Sequence, residues 1–181
     1  MTVKEQKVAY RTQMLKRRKE MSMSAKRTAD KLICEELLSM IIEREIKVLH
    51  TYLPMKAEVN VIPLIEQALP LGVTIVVPKT LPERQLENRI LTDLKNMERG
   101  VFGTYHPQEC NVYNGDYDMI IVAGLAFSND LYRVGYGGGY YDSFLAHQRT
   151  AYKVGVGYAF QMVESVPTES HDIQLDEVIF Y

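Results

Sequence analysis

The chain has 181 residues and a formal charge of −2, with a pI near 6.1. That length suits a single domain with a sizeable core, and the balance argues against a surface that binds nucleic acid generally. Its two cysteines, Cys34 and Cys110, lie far apart with no metal-type spacing, so they read as reduced thiols of a cytoplasmic protein. The charged N-terminus has no apolar core of a signal peptide, and no run approaches bilayer length, which predicts neither a secretory leader nor a membrane span.

Charge is uneven along the chain. Residues 1–31 hold ten of the 21 basic residues and three of the 23 acidic ones, giving +7 there and −9 over the remainder. Such asymmetry predicts a polyanionic partner or a basic arm docked on an acidic body. Residues 3–21 contain neither proline nor glycine and read as a helix. At 100° per residue, Lys7, Arg11 and Arg18 point the same way, with Lys4 nearby. The stripe is either a solvated face or a helix laid across an anion.

Ser22 or Ser24 can cap a second helix running to about Arg44, with Ala29, Leu32, Ile33, Leu37, Met40 and Ile41 turned to the core. A strand at 46–53, ended by Pro54, leads through Met55 to Glu58 into a helix at 60–69. A further strand at 72–77 is stopped by Pro78. This alternation predicts an α/β fold: one domain over 1–181 with an open, mostly parallel sheet flanked by helices on both faces, in three layers. Glu58 and Lys79 occupy equivalent positions after successive strands, each either a ligand contact or an ordinary surface charge. Residues 85–91 read as a strand with a polar face, 94–99 as a helical turn and 102–107 as an irregular loop. The apolar run 117–124 suits a strand buried on both faces, followed by a loop at 125–130. A helix at 140–147 and a strand at 152–158 come next. The two glycines of that strand invite close approach of another backbone or a ligand. A helical turn at 160–166 and a strand at 177–180 close the chain.

The most informative stretch is Arg133-Val-Gly-Tyr-Gly-Gly-Gly-Tyr-Tyr-Asp142, in which four of ten residues are glycine. Clustered glycines allow positive φ and close approach, and such a turn can aim several N–H groups at one anion. Arg133 and Asp142 bracket it with a phosphate-binding cation and a possible Mg²⁺ carboxylate. The competing reading is a strand-to-helix turn with no ligand. Neither G-x-x-x-x-G-K-[ST] nor G-x-G-x-x-G is present. There is no H-E-x-x-H, C-x-x-C or G-x-S-x-G, and His50, His106, His147 and His171 are scattered. Cations, backbone donors and carboxylates remain, the kit of phosphoryl transfer.

At this point the chain resembles the 5-formyltetrahydrofolate cyclo-ligase (methenyltetrahydrofolate synthetase) family. Gly124-Leu-Ala-Phe127 and the glycine loop are similar to the family's G-x-A-F and R-L-G-x-G-x-G-Y-Y-D. Lys7-Val-Ala-Tyr-Arg11 and Arg18-Lys-Glu-Met-Ser22 resemble its K-x-x-L-R and R-x-x-L-S. Tyr52 to Val59, Val77-Pro-Lys79 and Asp172 to Val178 follow in the family's order.

The resemblance implies an ATP- and Mg²⁺-dependent enzyme acting as a monomer, with no nucleic-acid or membrane partner. It would convert 5-formyltetrahydrofolate to 5,10-methenyltetrahydrofolate, releasing ADP and phosphate by way of a phosphorylated formyl oxygen. It assigns Lys7, Arg11 and the run Arg133, Val134, Gly135, Tyr136, Gly137, Gly138, Gly139, Tyr140 and Tyr141 to ATP, with Arg133 and Tyr140 catalytic. Leu53, Glu58 and Tyr136 to Tyr140 would meet the folate. Asp142 and Asp172 would hold Mg²⁺, with Asp176 the rival of Asp172. Some relatives carry lysine at the position of Gly138; if it contributes charge there, either another cation compensates here or turnover is slower. Two other classes share parts of the pattern: a non-catalytic nucleotide- or folate-binding module, and a sugar-phosphate isomerase-like α/β enzyme. The latter would leave Lys7 and Arg11 unexplained and be indifferent to ATP.

Overall fold

A computed structural model describes residues 1–181 except Lys56, Glu109 and Cys110. Cys110, read above as a free thiol, therefore lies outside the described residues, as does Lys56 of the Tyr52–Glu58 segment. Cys34 is buried and free, and burial pushes its thiol up to about 11, which keeps it protonated and unreactive.

Helix α1 (Val3–Glu20) starts at a capping box: Thr2 Oγ1 accepts the Glu5 N–H, and Glu5 Oε2 accepts the Thr2 N–H. Helix α2 (Met23–Glu43) is capped by Ser22, whose hydroxyl accepts the Ala25 N–H. Leu32, expected in the core, lies at the edge of the apolar face and is exposed, while Met40 packs partly buried against the core. Then follow β1 (Val48–His50), α3 (Ile62–Ala68), β2 (Thr74–Thr80), β3 (Leu86–Leu91), β4 (Met97–Arg99), β5 (Tyr105–Pro107) and β6 (Met119–Ala123). The chain closes with β7 (Ala126–Ser128), β8 (Arg133–Val134), α4 (Tyr140–Leu145), β9 (Tyr152–Gly157), β10 (Met162–Val163) and β11 (Glu177–Phe180).

Six strands form one sheet in the order β11-β9-β6-β1-β2-β3, parallel throughout except for β3 at the edge. Alternate residues serve its two faces. Leu49, Ile75, Met119, Ile121 and Val154 pack under Ile33, Leu37 and Ile41 of α2 and Leu64 and Ile65 of α3. Val76, Ile120 and Val122 face the other way, toward Leu145 of α4 and the side chains of Phe127 and Leu175. The three-layer expectation holds, with the second layer thin: α4 is short, and loops complete it.

Four local readings change. Pro78 lies inside β2, paired with Asn88. The Asn88 carbonyl accepts the Tyr113 N–H and so points away from β2, which makes this a non-hydrogen-bonded pair. The proline's missing donor therefore faces the side that β1 left after His50, where no ladder bond is lost. Residues 94–107, read as a helical turn and a loop, carry the antiparallel pair β4–β5 around a 3₁₀ turn at Val101–Gly103. Residues 125–130 and 160–166 contribute β7 and β10, which join β8 in a small three-stranded sheet. The glycines of β9 admit a side chain of this same chain: methyls on Gly155 and Gly157 would stand 2.7 and 3.0 Å from the Phe127 ring.

α1 crosses the carboxyl ends of the central strands. Met14 packs with Leu125, Ala126 and Val134, and this contact turns the basic stripe inward. Lys7 and Arg18 are each only 7% exposed, so the stripe is not a solvated face.

Candidate active site

Beyond the carboxyl ends of β1, β2 and β6 lies a cavity of about 750 Å³, the place where open α/β sheets hold ligands. Tyr52, Leu53, Pro78, Thr80 and Ala123 line its floor, and the glycine loop forms one wall. Gly137 and Gly139 have φ of 102° and 72°, values that an L-residue rarely adopts. A methyl on Gly138 would lie 2.7 Å from the Tyr140 ring, so that position is closed to a side chain unless Tyr140 moves. Among the described residues, none of the N–H groups from Tyr136 to Gly139 donates a hydrogen bond. A run of unpaired donors of this kind can serve as an anion nest.

The cations of α1 reach the same wall. Arg11 Nε donates to the Gly135 carbonyl at 2.8 Å, and its Cζ lies 3.1 Å from where a methyl on Gly137 would stand. Lys7 Nζ donates to Asp172 Oδ2 at 2.6 Å and to Glu169 Oε2 at 2.9 Å. Burial alone would lower the lysine's pKa, but the bonds to Asp172 and Glu169 outweigh it and raise it, so Lys7 stays charged. Arg133, also buried, donates from Nη2 to Asp142 Oδ1 at 2.9 Å. Pairing each buried charge avoids the cost of an isolated ion.

Asp142 and Asp172 share this wall, since Asp142 Oδ1 also accepts the N–H of Ile173, the residue after Asp172. Among the described residues no three His, Cys, Asp or Glu side chains are grouped to cage a metal. Two hard carboxylate oxygens such as these can join Mg²⁺ where the phosphates of a ligand complete its shell. Asp176 is elsewhere: it accepts the Lys153 N–H at the start of β9, at the other end of the sheet.

Glu58 is buried in the cavity lining beside Tyr136 of the glycine loop, its Oε2 accepting the Met55 N–H at 2.8 Å. Burial pushes its carboxyl up, opposed by the Met55 N–H, the charge of Arg18 and the Tyr136 phenol. Its backbone is fixed by Tyr158, whose hydroxyl donates to the Glu58 carbonyl and to Asp30 of α2. Leu53 supplies apolar surface beside it.

Every residue assigned a ligand role by the resemblance lines this one cavity, from Lys7 and Arg11 through Leu53 and Glu58 to the loop Arg133–Tyr141, Asp142 and Asp172. Lys79 does not. Strand alternation puts Pro78 and Thr80 on the cavity side and Lys79 on the other. The structure adds residues that no motif marks: Lys4, Arg84, Phe102, Glu169 and His171 also line it. Arg18, placed in the basic stripe without a role of its own, ties the wall together. Its Nη1 donates to the Tyr136 hydroxyl at 2.7 Å and its Nη2 to the Gly124 carbonyl at 2.6 Å. A second hollow of about 600 Å³, around Tyr113, Tyr117 and His147, gathers none of the motif residues.

A mainly apolar cleft walled by cations, free N–H groups and two paired carboxylates suits an α/β enzyme that takes small molecules with anionic groups. Residues 3–181 match the model of the 5-formyltetrahydrofolate cyclo-ligase family, and the chain belongs to that family. A 5-formyltetrahydrofolate cyclo-ligase of Mycoplasma genitalium is 30% identical, with 96% of each chain covered. One of Haemophilus influenzae is 27% identical over 93% of this chain and 94% of its own. The NMR structure of Aquifex aeolicus 5,10-methenyltetrahydrofolate synthetase superposes with a TM-score of 0.84 at 29% identity, covering 96% of this chain and 89% of that one. The Mycoplasma pneumoniae synthetase structure gives 0.77 at 27%, with 96% and 97% covered.

Proposed function

We propose that the protein closes 5-formyltetrahydrofolate to 5,10-methenyltetrahydrofolate, consuming ATP and releasing ADP and phosphate. One observation carries this reading: the α1 cations, the glycine loop and Glu58 converge on a single cavity, large enough to hold a triphosphate against a second, partly apolar ligand. The family membership and the names of the relatives support it.

A formyl oxygen is a poor leaving group, so it must be activated before carbon can be transferred. The γ-phosphorus of ATP bonds to that oxygen as its bond to the β-phosphate oxygen breaks, leaving ADP. The lone pair of N10 then attacks the formyl carbon, N10 loses its proton, and the C–O bond breaks as phosphate departs. No protein nucleophile is needed, only alignment and charge dispersal.

The residues have fitting roles. Glu58 accepts paired N–H donors from the pterin edge while Leu53 packs on the ring. The free N–H groups of Tyr136 to Gly139, with Lys7, Arg11 and Arg133, spread the charge on the transferring phosphoryl group. Tyr140 bridges the two ligands across the loop. Asp142 and Asp172 would hold Mg²⁺ with the phosphates, where it supplies further charge neutralisation. Their present partners, Arg133 and Lys7, then become free to face phosphate.

Purified protein given ATP, Mg²⁺ and 5-formyltetrahydrofolate should develop the near-ultraviolet absorbance of the methenyl product. Asp142→Ala should lose metal-dependent turnover while keeping its circular dichroism. No absorbance change with any nucleotide or divalent metal would refute the activity, and full turnover in the variant would refute the metal site.

A further inference from the structure

The turn joining β2 to β3 delivers to the glycine loop a charge that no motif in the sequence marks. The Leu81 N–H donates to the Gln85 carbonyl and closes the turn. Within it Glu83 and Arg84 have φ of 57° and 60°. Two consecutive L-residues in the left-handed region are disfavoured, and such a conformation persists only where its surroundings hold it. The β2–β3 hairpin does so here, with the Gln85 N–H donating to the Pro82 carbonyl, and the Tyr140 hydroxyl, donating to the Leu81 carbonyl at 3.2 Å, fastens the turn to the loop. As a result the Arg84 side chain lies along Gly139. Its Cδ and Cζ are 3.5 and 3.6 Å from where a methyl on that glycine would stand, and the residue lines the cavity.

Charge accounting sets Arg84 apart from Lys7 and Arg133. Lys7 is matched by Asp172 and Glu169, and Arg133 by Asp142. Lys4, Arg11 and Arg84 line the same cavity with no carboxylate partner among the described residues. Arg11 and Arg84 thus flank one short loop at Gly137 and Gly139, with unpaired N–H groups between them. Two guanidinium forks and a row of amide donors around one point match the oxygens of a polyphosphate better than a single carboxylate.

We propose that Arg84 is a phosphate-binding arginine, which meets the β- or γ-phosphate of a nucleoside triphosphate at the Gly139 end of the loop as Arg11 does at the Gly137 end. This rests on the nucleotide reading above. It also names the cation that can serve this cavity where position 138 is glycine.

The test compares wild type, Arg84→Ala and Arg84→Lys in equilibrium binding of a non-hydrolysable ATP analogue and of AMP, and in the apparent KM for the formylated folate. Arg84 is exposed, and circular dichroism checks that the variants fold. Arg84→Ala should weaken the triphosphate analogue about tenfold or more, with AMP affinity and folate KM near wild type. Arg84→Lys should recover part of the loss, keeping the charge without the fork. Equal triphosphate affinity in wild type and Arg84→Ala overturns the assignment and leaves the nucleotide reading standing. A loss that falls on folate KM instead also overturns it, in favour of a folate carboxylate contact. Wild type that binds no triphosphate overturns both.

Discussion

His50, the last residue of β1, should make the protein acid-sensitive by a predictable amount. It has no exposed surface and packs against Phe144 and Tyr117, ring centroids 4.6 and 5.2 Å away. Its Nε2 pairs with Asn88 Oδ1 at 3.0 Å. That oxygen only accepts, so Nε2 carries the proton, and Nδ1 is left without a partner among the described residues. Burial pushes the ring down from 6.5 to about 4, against the opposing bond to Asn88. The unfolded chain therefore takes a proton near pH 6.5 while the folded chain resists until about pH 4. Stability from this source is complete above pH 6.5 and is lost as pH falls toward 4. At roughly 1.4 kcal/mol per pH unit the whole interval is worth about 3 kcal/mol, of which about 2 has gone by about pH 5.

The variant His50→Gln can still donate to Asn88 but does not titrate. Urea unfolding of both proteins at about pH 7.5 and about pH 5 gives four stabilities. Carboxylate titration is common to the two proteins and cancels in the comparison. Wild type should lose about 2 kcal/mol more than His50→Gln between the two conditions. Parallel losses would show that the ring accepts a proton in the folded state and that the burial argument is wrong.

Two further predictions address the site and the sheet. Because burial raises the Glu58 carboxyl, folate affinity should fall as pH drops through a pKa above the ordinary 4.5. Glu58→Gln should bind about tenfold or more weakly at neutral pH and lack that acid limb. A variant whose affinity-against-pH curve overlays wild type would remove Glu58 from the folate contacts. Gly155→Ala would drive a methyl to 2.7 Å from Phe127 and 2.8 Å from Leu175, and overpacking of this kind costs about 1–3 kcal/mol. Thermal unfolding should shift down by several degrees, and an unchanged Tm would mean that the Phe127 ring relocates freely.

The long elements were legible because their signals are local. α1 and α2 have uninterrupted helical runs with caps, and the short apolar run ending at Gly124 suits a buried strand. The glycine loop and its bracketing charges marked a candidate anion site, and the resemblance to the family grouped Lys7, Glu58 and Asp172 with it, all of which line one cavity. What stayed hidden depends on distant partners. Strands of two or three residues, such as β7 and β10, have no periodicity to read, and they exist because they pair with each other. Whether the basic stripe faced water or the body of the protein could not be read before Met14, on the same helix face, was seen packed against Leu125 and Val134. Asp172 and Asp176 are only four residues apart, yet one lines the cavity and the other caps the far end of the sheet. Arg84 had no signal, because its position follows from a left-handed turn and the hold of Tyr140 on Leu81.

The central claim is that the formyl oxygen itself receives the γ-phosphoryl group in this cavity. Substrate labelled with ¹⁸O in the formyl group, turned over with unlabelled ATP, puts that claim to a direct measurement by mass spectrometry of the released phosphate. The account predicts one labelled oxygen in each phosphate, because the C–O bond breaks and the new P–O bond stays. Unlabelled phosphate formed alongside methenyl product would contradict it.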